Sequence, residues 1–146
     1  MSDISPRPTP EDPTPGNLTR MTEGRFPGLL GFKVVEADAL RVVAEFEVRP
    51  ELLAPNGHLH AAAVVALADT ACGIGCRLSL PEGSVGFATA QVSTDFVGTA
   101  RQGTVRTVAE LAHGGRRMQV WTADVLDADG RRIAMFRCTQ LITCPR

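Results

Sequence analysis

The order of the predicted elements indicates an α+β domain in which one antiparallel sheet wraps around a single apolar helix. Two strand patterns come first, an apolar helical segment follows, and four further strand patterns complete the chain. The helical segment, residues 61–76, contains no charged residue except Asp69, so no side of it is suited to facing water. Such a helix has to be enclosed by the other elements of the domain.

The N-terminal segment differs in composition from the rest of the chain. Residues 1–17 are rich in proline and polar side chains and cannot bury an apolar face, so we expect a disordered arm there. The folded domain is expected over residues 18–146. Asn17 or Thr19 is placed to cap a short helix that continues to about Arg25.

Six segments have the apolar and polar alternation or the β-branched composition typical of strands. Gly-containing gaps separate the last four segments, which predicts successive antiparallel hairpins. The predicted strands cover residues 31–36, 42–49, 87–96, 103–112, 116–125 and 132–142.

Composition excludes several classes of protein. The chain has 15 basic and 16 acidic residues, so its overall charge attracts neither nucleic acid nor an anionic membrane. The N-terminus lacks the apolar run of a signal peptide, and the apolar helix is too short and too interrupted to span a membrane, which predicts a cytoplasmic protein. The four cysteines have no CxxC spacing and are expected to be reduced, buried thiols.

Two sequence stretches carry a resemblance to a known family. PNGHLHAAAVVALADTACG, residues 55–73, and STDFVGTARQG, residues 93–103, resemble the PaaI-like (phenylacetic acid degradation) branch of hotdog-fold acyl-CoA thioesterases. In that family a Gly and a His lead into the central helix, and a carboxylate follows nine residues after the His. Gly57, His60 and Asp69 keep this spacing. The resemblance implies a hotdog fold, hydrolysis of an acyl-CoA, and assembly of identical subunits into a dimer or tetramer.

The chain departs from the family pattern at two points. The glycine pair that follows the family His is Ala61-Ala62 here, which still offers backbone N–H groups. The family Asn falls at Ala54, and Asn56 stands two residues later, so Asn56 takes the family role only if the turn is shifted.

Asp69 is the candidate catalytic group. A carboxylate among apolar neighbours is costly to bury unless it has a partner or a purpose, and a thioester hydrolase needs a group that activates water or attacks the carbonyl itself. The alternative is an Asp that fixes packing through a hydrogen bond. The resemblance assigns the backbone N–H of Ala61 to the developing oxyanion, and the start of a helix suits that role. His60 is expected either to orient this loop or the carbonyl, or to be purely structural.

Further candidates lie in the strands that follow the helix. The resemblance places Thr89 where related thioesterases carry a hydroxyl that assists the attacking water; the alternative is a threonine chosen for the strand. Alternation predicts one polar face that consists of Phe87, Thr89, Gln91, Ser93 and Asp95. Arg116 and Arg117, beside a Gly-Gly turn, are candidates for the phosphates of coenzyme A or else part of a solvated hairpin edge. Asn56 and Gly57 are the remaining candidate substrate contacts.

We expect no metal and no cofactor beyond the coenzyme A of the substrate. His58 and His60 alternate in the sequence, but no cysteine or carboxylate stands at ligand spacing from them. Two other functions remain open at this point. One is a hotdog dehydratase or hydratase that acts on an acyl thioester, and the other is a non-catalytic module that binds acyl-CoA or an aromatic ligand.

Overall fold

The computed structural model describes residues 4–145, and its elements form an antiparallel sheet that packs around one long helix. This confirms the predicted α+β class. The helices are α1 (Pro15–Thr22), α2 (Phe26–Leu29) and α3 (Ala61–Leu78), with a 3₁₀ turn at Pro50–Leu52. The strands are β1 (Lys33–Ala37), β2 (Arg41–Glu47), β3 (Gly86–Phe96), β4 (Thr104–Gly114), β5 (Met118–Leu126) and β6 (Arg132–Thr143).

The sheet has the strand order β1-β2-β4-β5-β6-β3. The predicted hairpins β4–β5 and β5–β6 are confirmed, but the predicted hairpin between β3 and β4 is wrong, because β3 pairs with β6. The chain after β3 leaves beside β6, where the Val97 amide donates to the Ile133 carbonyl at 2.9 Å. It reaches β2 at Gly103, whose carbonyl accepts from Val48 at 2.9 Å. The glycine-containing gap is therefore a crossover and not a turn.

The N-terminal helix begins earlier than the sequence predicts. Thr14 caps α1, with its hydroxyl oxygen accepting the Asn17 amide at 3.2 Å, and proline is tolerated in the first turn that follows. Residues 4–14 contain neither helix nor strand, and Arg7 Nη1 donates to the Met21 carbonyl at 3.0 Å. Residues 1–3 of the predicted arm lie outside the described residues, and its disorder stays a prediction.

Helix α3 supplies the centre of the core. Leu67, Cys72 and the facing Trp121 of β5 have no exposed surface. Trp121 Nε1 donates to Gln119 Oε1 at 2.9 Å, and Gln119 Nε2 donates to the carbonyl of Ser79 at 3.0 Å, which ties the end of the helix to β5. By length and composition α3 is apolar enough to cross a membrane, but half of it is buried inside the domain, as expected of a core helix.

A β-bulge at Ala90 changes which residues of β3 face the helix. Thr89 pairs with Gln140, yet Gln91 pairs with Thr139, so one extra residue stands in β3. Residues on either side of a bulge exchange faces. The predicted single face is therefore wrong: Phe87 and Thr89 lie on the helix side, while Gln91, Ser93 and Asp95 lie on the outer side.

The contact between α3 and β5 predicts that Gly75→Ala destabilises the fold. A Cβ at this position would lie 2.6 and 2.8 Å from Cζ3 and Cζ2 of Trp121, which is buried and hydrogen-bonded. We expect a loss of about 1–3 kcal/mol in the free energy of unfolding, measured by chemical denaturation.

The matched control is Gly73→Ala on the same helix, where the nearest atom to the new Cβ is 3.4 Å away. Here the helix preference for alanine should leave stability unchanged or raise it by up to about 1 kcal/mol. A Gly75→Ala protein as stable as the Gly73→Ala protein would contradict the tight packing of α3 on Trp121.

Candidate active site

The carboxylate of Asp69 lies in the middle of α3 and faces a cavity of about 420 Å³. Its Oδ1 atom is buried and has no hydrogen-bond partner among residues 4–145. This burial raises the pKa of Asp69 above its ordinary value, because the charged form loses solvation. The carboxylate of Asp69 therefore takes up a proton more readily than a fully solvated aspartate does.

Thr89 lines the same cavity as Asp69, together with Phe87. The Ala90 bulge is what places both side chains of β3 on this side of the sheet. Thr89 Oγ1 donates to Oε1 of the fully buried Gln140 at 2.9 Å. Because the hydroxyl proton is used in this bond, the oxygen of Thr89 is left as a hydrogen-bond acceptor toward the cavity.

His60 is the N-cap of α3. Its Nδ1 atom accepts the Ala62 amide at 3.0 Å, and its carbonyl accepts the Ala63 amide at 2.9 Å. An accepting Nδ1 requires the neutral tautomer that carries its proton on Nε2. The first helical N–H, that of Ala61, has no acceptor among the described residues. The exposed helix start therefore offers one free donor.

The loop before α3 is a tight turn. Gly57 has a φ of 82°, in the left-handed region that favours glycine, and its amide donates to the Ala54 carbonyl at 2.9 Å. The side-chain oxygen of Asn56 accepts the His58 amide at 3.1 Å, so Asn56 stabilises the turn. Asn56 and Ala61 line a second cavity of about 280 Å³.

The predicted residues thus fall into two groups within one chain. Asp69 and Thr89 share the larger cavity, whereas Asn56 and Ala61 share the smaller one. Asp69 follows Ala61 by eight residues, and at 1.5 Å per helical residue the two are about 12 Å apart along the axis of α3. One carbonyl cannot contact both groups of the same chain.

The two candidate phosphate ligands lie elsewhere. Strand β5 begins at Met118, so Arg116 and Arg117 are exposed residues of the β4–β5 turn and line neither cavity. Sequence reasoning missed three other arginines, Arg7, Arg25 and Arg77, which line the Asp69 cavity. Arg77 has a sequence signal, because it stands about two helical turns after Asp69.

Cys72, one turn after Asp69, is not set up as a nucleophile. Its hydrogen bond to Cys138 and its burial raise the pKa of the Cys72 thiol well above the usual value. The reactive thiolate is therefore disfavoured, and Asp69 is left as the candidate catalytic side chain of α3.

His58 Nε2 lies 3.2 Å from Nη2 of Arg101, so His58 and His60 have separate contacts.

The chain is similar to proteins of known family. The sequence profile of the Thioesterase superfamily matches residues 56–134. ComA2 of Bacillus subtilis (strain 168), which is named as an esterase, is 33% identical over 110 residues, 75% of this chain and 87% of the relative. The 1,4-dihydroxy-2-naphthoyl-CoA hydrolase of Escherichia coli (strain K12) is 32% identical over 127 residues, 86% of this chain and 91% of the relative.

The fold has a counterpart among solved structures as well. The PaaI protein of E. coli, from the phenylacetic acid degradation operon, superposes with a TM-score of 0.71 at 22% identity, over 79% of this chain and 86% of that one. This confirms the hotdog arrangement of sheet and helix that the resemblance implies. With more than half of its length matched by the family profile, the chain belongs to the Thioesterase superfamily and is a thioester hydrolase with the hotdog fold.

Proposed function

We propose that the protein hydrolyses an acyl-CoA to the free acid and coenzyme A, with Asp69 as the group that activates water. The observation that carries this proposal is a buried carboxylate oxygen with no hydrogen-bond partner among the described residues, in a cavity that the Thr89 side chain also lines. The similarity to a hydrolase of an aromatic acyl-CoA supports coenzyme A as the carrier of the acyl group. A cytoplasmic location is part of the same proposal.

The reaction follows from the hydrogen-bond roles of the two side chains. Asp69 takes a proton from a water molecule as the water oxygen attacks the thioester carbonyl. The Thr89 oxygen accepts the second hydrogen of that water, since its own proton is donated to Gln140. The C–S bond then breaks, and the proton returns to the departing thiolate of coenzyme A. The raised pKa of Asp69 increases its strength as a base.

The developing oxyanion needs an N–H donor, and we assign this role to the backbone amide at the start of α3. The free N–H of Ala61 is suitable, but it lies about 12 Å from Asp69 along α3. We infer that a second copy of the chain brings its Ala61 to this Asp69. Strand β3 is the edge strand beside β6, and Val92 and Phe96 on it are 41% and 48% exposed. Edge strands with exposed apolar side chains tend to pair with another chain, which supports a dimer or a tetramer.

The role proposed for His60 is positional: the cap fixes the first turn of α3 and so aims the Ala61 N–H. Replacement by alanine removes the cap, so His60→Ala should lower the free energy of unfolding by about 1 kcal/mol and reduce the rate of thiol release. Asparagine is a favoured cap, so His60→Asn should restore both quantities. Equal loss of activity in both variants, with stability restored in His60→Asn, would show that the imidazole itself acts on the substrate.

The central variant is Asp69→Asn, which keeps the size of the side chain but cannot take up a proton. Thiol release from benzoyl-CoA and octanoyl-CoA, followed with a disulfide reagent, should fall by about 10²-fold or more, while calorimetry still detects coenzyme A binding. Asp129→Asn, exposed in the turn between β5 and β6, is the matched control and should keep its activity. An Asp69→Asn protein with more than about a tenth of the original rate would rule out Asp69 as the base.

The raised pKa of Asp69 also has a signature in pH dependence. Activity should fall on acidification, with a midpoint above the ordinary aspartate pKa of about 3.9. The folded state binds this proton more tightly than the unfolded state, so the carboxylate destabilises the fold at neutral pH, and this effect disappears as the pH falls. Asp69→Asn should therefore raise the melting temperature at pH 7 and raise it less near pH 3. A lower melting temperature at pH 7 would contradict the unsatisfied burial of Asp69.

A further inference from the structure

Three arginines from distant parts of the sequence surround the Asp69 cavity. Arg7 precedes α1, Arg25 lies between α1 and α2, and Arg77 is in the last turn of α3. All three side chains are half-buried. The three arginines come from different elements, and only the folded chain brings them together at one cavity.

These arginines differ from the ion-paired arginines of the described chain. The ion-paired ones have carboxylate partners within 4 Å and are Arg41, Arg49, Arg106 and Arg132. Arg7, Arg25 and Arg77 have no carboxylate at that distance among residues 4–145. Their hydrogen bonds instead reach main-chain carbonyls: Arg7 to Met21 at 3.0 Å, Arg25 to Ser5 at 3.0 Å, and Arg77 to Arg7 at 3.1 Å.

Three half-buried cations that have no carboxylate within 4 Å among residues 4–145 repel each other and lose part of their hydration. Each guanidinium has five N–H donors, and these main-chain bonds occupy only a part of that set. The remaining donors and the positive charge of the three side chains match an oxyanion, which guanidinium forks bind through paired hydrogen bonds. An anionic ligand in this cavity would therefore accept the unused hydrogen bonds and reduce the repulsion between the three arginines.

The separation of Asp69 and Arg77 along α3 indicates how far the anionic group lies from the thioester carbonyl of the substrate. Arg77 follows Asp69 by eight residues, about 12 Å along the helix axis. The wall near them is apolar and includes Gly73, Ile74 and Phe87. A ligand that spans this wall has an apolar section between the thioester carbonyl at Asp69 and its anionic end.

We propose that Arg7, Arg25 and Arg77 form a binding site for an anionic group of the thioester substrate, separated from the reacting carbonyl by an apolar section. This site rests on the proposed function, because Asp69 marks the position of the carbonyl. Two parts of an acyl-CoA have the required chemistry. One is a phosphate of coenzyme A beyond the pantetheine arm, and the other is a carboxylate at the far end of the acyl group.

The test is equilibrium binding of ligands that cannot be cleaved, so that it is independent of hydrolysis. The probes are coenzyme A and two acyl-CoA analogues in which a methylene replaces the thioester sulfur. One analogue carries an octanoyl group, and the other carries a 7-carboxyheptanoyl group of the same length. They are compared on the unmodified protein, Arg25→Gln, and the double variant Arg25→Gln/Arg77→Gln. Exposed Arg131→Gln is the matched control.

If the three arginines form this site, the double variant should bind at least about tenfold more weakly, because the substitutions remove charged hydrogen bonds. If the anion is a phosphate, all three ligands weaken together. If it is an acyl carboxylate, only the carboxyheptanoyl ligand weakens. Arg25→Gln retains the helix and the Arg77 contact to Arg7, so it gives a smaller loss in the same ligands even if the double variant folds poorly. Binding of every ligand unchanged in Arg25→Gln, as in Arg131→Gln, would overturn the proposal, whether or not Asp69 is the catalytic base.

Discussion

The burial of α3 inside the sheet is the constraint on which the rest of the structure depends. Its apolar residues require strands on both flanks, and β3 completes this enclosure by pairing with β6 at the far edge. The helix is also held at both ends, by the His60 cap at its start and by the Gln119 bond to Ser79 at its end. A carboxylate in the middle of such a helix loses part of its solvation, and the raised pKa of Asp69 follows from that.

A rigid helix also sets the distances between the chemical groups that it carries. Asp69 stands eight residues after Ala61 and eight residues before Arg77, so about 12 Å separates it from each along the axis. The free N–H at one end is too far away to serve the same carbonyl, which leads to a site shared between two chains. The arginine at the other end is well placed for a distant part of the substrate. One helix thus accounts for both the proposed assembly and the proposed anion site.

The sequence predicts those features that depend on local pattern. An apolar helix with one charge identifies Asp69, and alternation identifies the strands. It does not predict the partner of β3, since a glycine-containing gap has the same composition in a turn and in a crossover. One extra residue at Ala90 reverses the faces of β3 without any mark in the sequence. Arg7 and Arg25 reach the cavity only through tertiary contacts, and a histidine cap at His60 is outside the usual set of cap residues.

The shared site is tested most directly by mixing two inactive variants. Asp69→Asn lacks the base, and Ala61→Pro lacks only the donor, because proline is tolerated at the first helical position and His60 is already extended with a ψ of 134°. Refolding equal amounts together gives mixed dimers in half of the cases, each with one intact site, so about a quarter of the original thiol-release activity should return. A mixture no more active than its two components would contradict a site built from Asp69 of one chain and Ala61 of the other.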